Sequence, residues 1–299
     1  MKSINTVKKV SLAAILTFIL SLSTLFAQND TMYIMKSGAV IDQYNVNTDI
    51  DSVIFYKPTT GGSTIITDTI TDYDGNVYNT VAIGSQVWMK ENLRTTHYSD
   101  GTPIPYVTGD SNWDTLVVTD KAYCYYNDDS ATHASVYGAL YTWAAAMNGS
   151  ASTTNNPSGI QGVCPTGWHL PSDAEWTELE NYLADNGYNY DGSTGGGKAK
   201  IAKAMADSSG WISSSTTGAV GNTDYPAYRN KSGFTALPGG YRLHNGSFSY
   251  SGRHGFWWSA TEDNETYAWD RNLSYNFSNV DRGLFIFKEI GFSVRCVRD

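Results

Sequence analysis

Three acids in four positions, Glu262, Asp263 and Glu265 with Asn264 among them, follow a Trp257-Trp258 pair. Carboxylate and amide oxygens at that density could hold calcium, a hard cation that takes oxygen ligands. Two carboxylates could also serve as a glycosidase pair. A solvated turn accounts for the same run, so calcium is the one cofactor kept open and no catalytic residue is expected. Aromatic residues in polar stretches offer a second chemistry. Trp211, Tyr225 and Tyr228 stand in the long polar segment 211–231, and Trp113 in another loop. Sugar rings present apolar C–H faces that stack on exposed aromatics, whose amphipathic rings are stable at a wet interface. These four are the expected ligand-binding residues, for a glycan or a surface protein.

Other reactive arrangements are absent. His97, His133, His169, His244 and His254 show no His-x-x-x-His spacing and no Cys/His cluster of the kind that binds zinc. Gly192-Ser-Thr-Gly-Gly-Gly-Lys198 has the spacing of a phosphate-binding loop. Ala199 replaces the hydroxyl that would hold magnesium there, and no apolar strand leads into the loop. No Gly-x-Ser-x-Gly elbow occurs.

The elements that must position these residues are organised around Cys164-Pro-Thr-Gly-Trp-His-Leu-Pro-Ser-Asp-Ala-Glu-Trp176. Pro165 and Gly167 force a turn, residues 168–170 read as a short strand, and Pro171 delays the helix that follows. Ser172 with Glu175 three residues on forms a capping box. The spacing predicts a helix over 173–185, with Trp176, Leu179, Tyr182 and Leu183 facing the core. Two more helices are predicted over 137–147 and 198–206. The remainder reads as short strands, and Asp74-Gly75 signals a type I′ hairpin between 67–73 and 77–83. Trp257 and Trp258 are expected in the core, and His169 as a structural hydrogen bonder.

Residues 1–27 have a basic start and an apolar run ending at Ala27, the pattern of a cleaved signal peptide. Residues 28–57 read as a small β segment, 58–67 as a linker of Gly, Ser, Thr and Pro character, and 68–299 as one domain. No later stretch is apolar enough to span a membrane, so a secreted or cell-surface protein is expected. The chain carries a net charge of −9. Without the three signal lysines it has 17 basic against 29 acidic residues, or −12, which argues against nucleic acid as a partner. In an oxidising compartment two of the three cysteines can pair. The expected bridge joins Cys164 to Cys296, tying the central turn to the last strand and leaving Cys124 a buried thiol.

Several stretches carry a family likeness. They include Ile83-Gly-Ser-Gln-Val-Trp-Met-Lys-Glu-Asn-Leu-Arg94, Tyr137-Gly-Ala-Leu-Tyr-Thr-Trp143, Cys164–Trp176, Gly233-Phe-Thr-Ala-Leu-Pro-Gly-Gly-Tyr-Arg242 and Gly291-Phe-Ser-Val-Arg-Cys-Val-Arg-Asp299. In order over 68–299, the chain resembles the Fibrobacter succinogenes major paralogous domain, found in exported proteins of Bacteroidetes and Fibrobacter relatives. Less specifically, Trp168–Trp176 is similar to a stretch of the sulfatase-modifying-factor fold, a relative of the C-type lectin fold. The resemblance implies an α+β, C-type-lectin-like domain with two main helices and irregular antiparallel sheets. Sulfatase-modifying enzymes use two active-site cysteines near the domain end. Cys296 has no such neighbour, so that activity is not carried over. The expected function is a non-catalytic extracellular binding module for glycan or protein. The alternatives are an enzyme acting on extracellular polymer and a structural surface protein.

Overall fold

The computed structural model describes residues 31–36, 39–45 and 69–299. The chain divides into two units between Ser63 and Thr64. The expected signal peptide at 1–27 and linker at 58–67 lie outside the described residues. In the first unit, β1 (Thr31–Lys36) pairs antiparallel with β2 (Ala39–Asn45), with a register shift between Ile34 and Met35.

The second unit mixes short helices with antiparallel sheets; its two-residue strands include β6 (Tyr123–Cys124), β7 (Leu140–Tyr141), β9 (Tyr241–Arg242), β10 (Phe248–Ser249) and β14 (Ile286–Phe287). Its first hairpin joins β3 (Thr69–Thr71) to β4 (Val77–Ile83). In the turn only Gly75 takes a positive φ, at +80°. A type I′ turn needs one at both central residues, so that expectation is corrected. The Asp72 carboxylate shapes the loop instead, accepting from the Asn76 amide at 2.9 Å and the Tyr78 hydroxyl at 2.6 Å. Along β4, Tyr78 and Thr80 are buried while Val77 and Asn79 face out, the two-residue period of a half-buried strand, and the phase slips at the strand's end, where Ala82 is exposed and Ile83 buried. Next comes β5 (Gln86–Met89). The closing strand β15 (Val297–Arg298) then inserts between β5 and β8 (Trp168–His169), pairing Val297 with both Trp88 and His169. That insertion brings the domain's tail to its middle, and Cys164 and Cys296 are disulfide-bonded with Cα atoms 5.9 Å apart. Cys124 is a buried free thiol.

The helix Asp173–Asp185 forms as its sequence predicts. Ser172 Oγ accepts from the Glu175 amide at 3.2 Å, and the Glu175 carboxylate accepts from the Ser172 amide at 2.9 Å. Trp176, Leu179 and Leu183 are fully buried. Tyr182 departs from the predicted stripe: it is 36% exposed and lies against Gly84, where no side chain intervenes. Trp176 meets Trp88, Phe234 and Trp257 at ring separations of 4.6, 5.9 and 6.5 Å. This aromatic cluster is the second of three cores; the first surrounds the disulfide.

His169 links that helix to the chain's end. Its two ring nitrogens lie 2.6 Å from Glu175 Oε1 and 2.7 Å from Asp299 Oδ1. Burial opposes the imidazolium, but the two carboxylates outweigh it and hold the pKa above the ordinary histidine value. The folded state therefore binds this proton more tightly than the unfolded chain. The stabilisation is full below about pH 6.5 and is lost as pH rises through the folded-state value. A His169→Asn variant is expected to lose about 1–3 kcal/mol at about pH 6, and less as the pH approaches about 9. Urea unfolding across that range reads the difference; a deficit that grows with pH would contradict the clasp.

Two helix expectations are corrected. Residues 137–147 hold the end of one helix, Ser130–Tyr137, a two-residue strand, Leu140–Tyr141, and a second helix, Trp143–Met147. Gly138 breaks the run: it sits at φ +75°, and a Cβ there would lie 2.7 Å from the Leu93 carbonyl oxygen. Thr142 then restarts it, its hydroxyl accepting from the Ala145 amide at 3.2 Å. Over 198–206 only Ala202–Met205 is α-helical. The Lys200 carbonyl accepts from the Tyr190 amide at 3.0 Å, a tertiary bond in place of a helical one. Among the described residues, no helix is long and apolar enough to cross a membrane.

Candidate functional site

A cavity of about 290 Å³ opens on the sheet formed by β11 (His254–Glu262), β12 (Tyr267–Ser274) and β13 (Val280–Asp281). Register sets its lining. His254 stands opposite Ser274, and Asn272 opposite Asp281. Alternation along β12 turns Asn272 and Ser274 to one face and sends Arg271 and Leu273 into the core. Phe277 and Asn279 complete the lining from the turn between β12 and β13. Phe277 is 54% exposed, a large apolar ring held in water beside amides and a carboxylate.

The turn is fixed from below and from the side. Ser274 Oγ donates to Asn276 Oδ1 at 2.6 Å, and the Phe277 amide donates to the Ser274 carbonyl at 3.2 Å. The Val220 amide donates to the Phe277 carbonyl at 3.1 Å, and the Ala202 amide to that of Ser278 at 3.1 Å. The polar segment 211–231 therefore buttresses the rim of the cavity. That segment is itself held by a cation. Lys203, fully buried, donates to the carbonyls of Asn222 and Asp224 at 2.7 and 2.6 Å and pairs with the Asp224 carboxylate. Burial draws the Lys203 pKa down, and Asp224 offsets part of the shift.

His254 Nε2 lies 3.3 Å from Ser274 Oγ, and its ring stacks on Phe256 at 5.6 Å. Burial, with the Arg253 charge second, lowers the His254 pKa, so the imidazole is neutral near pH 7. Its Nδ1 is buried without a hydrogen-bond partner among the described residues. Behind Asn272 lies Asp270, fully buried, whose pKa burial pushes up to about 7. Asp270 Oδ1 accepts from the Gly283 amide at 2.8 Å, an approach that a Cβ at Gly283 would block.

A family model described as the Fibrobacter succinogenes major domain matches residues 81–298, most of the second unit and all of this cavity's lining. The chain belongs to that family. No curated protein and no solved structure matches the chain.

In this major domain the expected binding residues part company. Tyr225 is 40% exposed and Tyr228 half-buried, three residues apart on a single 3₁₀ turn, Pro226–Tyr228. Trp211 lies elsewhere on the same loop, half-buried against the aromatic core with its indole N–H 3.3 Å from the Ala236 carbonyl. Trp113 is fully buried, which corrects its reading as a loop aromatic open to ligand. It ends the short helix Asp110–Trp113, and its indole donates to the Glu289 carbonyl at 3.0 Å. Its face carries the buried Arg242 guanidinium at 4.6 Å from the ring centre, with Phe248 on that cation at 4.5 Å. Trp113 thus helps stabilise an internal cation.

The acids after Trp258 are also partly committed. Glu262 Oε2 accepts from the Lys288 ammonium at 2.6 Å, and the Glu265 backbone carbonyl accepts from it at 3.0 Å. Lys288 therefore places a positive charge where this turn's oxygens converge. Asp263 is exposed; its carboxylate accepts from Asn264 Nδ2 at 3.1 Å, and its amide donates to the Tyr267 carbonyl at 2.8 Å. Among the described residues, no group of three or more His, Cys, Asp or Glu side chains could hold a metal ion.

Sequence reasoning missed the cavity's own residues. One signal was present: β12 alternates Asp270, Asn272 and Ser274 with larger residues, and Asn276-Phe-Ser-Asn279 sets an aromatic among amides. Nothing local says that His254 and Asp281 flank them.

Proposed function

We propose that the chain is an exported, non-catalytic binding module whose major domain holds a glycan in the His254–Asn272–Asp281 cavity. A C-type-lectin-like scaffold is part of this proposal, supported by the tail strand β15 closing the domain between β5 and β8. One observation carries the reading. Two amides, a carboxylate and a hydroxyl converge beside the exposed Phe277 ring in a cavity of about 290 Å³. Amides and carboxylates satisfy sugar hydroxyls as paired donors and acceptors, while the ring covers an apolar sugar face. The net charge of −9 for the whole chain favours such a ligand over nucleic acid.

The arrangement of His254 and Ser274 supports binding over hydrolysis. An activated serine needs a base that is itself oriented by a third group. Here Ser274 Oγ donates to Asn276 at 2.6 Å, and among the described residues no carboxylate bonds the far ring nitrogen of His254. A glycan array followed by calorimetry on the best ligand tests the proposal. Asn272→Ala and Phe277→Ala are each expected to weaken binding about tenfold, the worth of one hydrogen bond or one stacked ring. Melting temperatures should stay within a few degrees of the parent. Undiminished affinity in both variants would remove the cavity from the reading, and turnover of the bound glycan would replace binding with catalysis.

A further inference from the structure

Beyond the cavity, five tyrosines follow one another across the surface of the segment that buttresses it. Val220, bonded to Phe277 at the cavity rim, is two residues from Gly218. A side chain at Gly218 would overlap the Tyr190 ring, so the glycine is what lets that ring lie against the loop. Tyr190 meets Tyr225 at 5.0 Å between ring centres. One 3₁₀ turn later Tyr228 packs its hydroxyl over Gly192, where a Cβ would come within 2.7 Å. The Lys231 ammonium bridges from the Tyr228 face at 4.7 Å to the Tyr188 face at 5.1 Å, and Tyr188 meets Tyr182 at 6.4 Å.

Two features bear on what these rings can bind. The buried Tyr78, Tyr98 and Tyr141 each spend their hydroxyl on a protein acceptor, at 2.6, 3.1 and 2.7 Å. None of the five surface hydroxyls has a hydrogen-bond partner among the described residues. Tyr225 also sits at φ +48°, a left-handed conformation that strains a bulky residue. The Lys203 ammonium holds the preceding Asn222 and Asp224 carbonyls, and so over-determines the backbone that presents this ring.

We infer that the tyrosines form a track continuous with the cavity, and that the ligand is an extended polysaccharide chain rather than a single terminal sugar. The inference rests on the glycan reading of the cavity and deepens it. Phe277 and the cavity take one sugar unit, and Tyr190, Tyr225 and the exposed Tyr182 stack further units of the same chain, with the Lys231 ammonium held over Tyr228 and Tyr188 between them. Unused phenolic hydroxyls supply hydrogen bonds along the row. A protein partner would meet the same rings without any dependence on sugar chain length, which makes it an outcome of the test.

The experiment measures affinity by calorimetry for cello-, xylo- and manno-oligosaccharides of one to six units, on the parent and two variants. Each additional stacked ring adds to binding, so affinity for hexamers of the bound series should exceed that for monomers by about tenfold or more. Tyr225→Gly suits the left-handed backbone, so it should not lower the melting temperature, and it should cut the length-dependent gain several-fold. Tyr190→Ala should do the same. In both, monosaccharide affinity should match the parent. Equal affinity at every length, or a gain that both variants keep, overturns the track while leaving the cavity standing. Loss of monosaccharide binding only in Asn272→Ala reports on the cavity separately, and failure of all three series to bind overturns the inference.

Discussion

Reducing the Cys164–Cys296 bridge is expected to cost the major domain about 5 kcal/mol, a third or more of the stability of an ordinary domain. The two residues are 132 apart. A cross-link that closes so long a loop removes much of the unfolded chain's freedom, and in the chain-entropy account that loss scales with the logarithm of loop length. Both cysteines are fully buried in the first core, and the Cys296 carbonyl accepts from the Met89 amide at 3.1 Å. Reduction should therefore leave the native contacts in place and act through the unfolded state. Cys124 will not reshuffle the bridge, because burial pushes its thiol up to about 12 and exchange requires a thiolate. Guanidinium unfolding with and without reductant, beside a Cys164→Ala/Cys296→Ala variant, reads the effect. A loss under about 1 kcal/mol would mean that the bridge constrains little.

The second large effect concerns Arg271, which is 1% exposed and joins β12 to the helix Asp173–Asp185. Its guanidinium reaches Glu180 Oε1 and Asp173 Oδ1, each at 2.6 Å. Asp173 has a second partner in Arg282, at 2.8 and 3.0 Å, but Glu180 is 4% exposed and relies on Arg271. Arg271→Leu should cost about 3–5 kcal/mol, since it strands a buried carboxylate. Burial already raises the Glu180 pKa, with Arg271 pulling it back down. Without the arginine the folded state must bind a proton there more tightly. The variant's deficit should therefore shrink as the pH falls and grow as it rises through the folded-state value. Adding Glu180→Gln to Arg271→Leu should recover part of the loss near pH 7. A single variant within about 1 kcal/mol of the parent at all pH values would show that the pair contributes nothing.

Arg271 is one of several internal cations. Lys203, Arg242, Lys288 and Arg295 are all buried, and each donates to backbone carbonyls of irregular segments. Arg295 has no carboxylate within ion-pair distance among the described residues. It bonds the Phe234 and Thr235 carbonyls and Asn92, and lies over the Phe234 ring at 4.3 Å. Burial lowers its pKa to about 9. Long loops without regular hydrogen bonding need their carbonyls satisfied, and fixed ammonium and guanidinium groups do that here. The acidic turn at Glu262–Glu265 follows the same rule, with the Lys288 ammonium bonded to the Glu262 carboxylate and the Glu265 carbonyl.

What was legible in the sequence is what short-range chemistry decides. The capping box of Ser172 and Glu175 and the alternation at the start of β4 depend on residues within about four positions. The bridge between Cys164 and Cys296 was legible because the motif around each marks a turn and a closing strand. Tertiary structure decided the rest. Tyr182 and Trp113 obeyed no local rule: one lies against Gly84 in the turn between β4 and β5, and Arg242, more than a hundred residues away, packs on the face of the other. The cavity unites His254 with Asp281 through strand register, and the tyrosine row unites Tyr182 with Tyr225 through a loop pinned by Lys203. Such partners meet only after the chain has closed, and a linear sequence records their types but not the faces on which they meet.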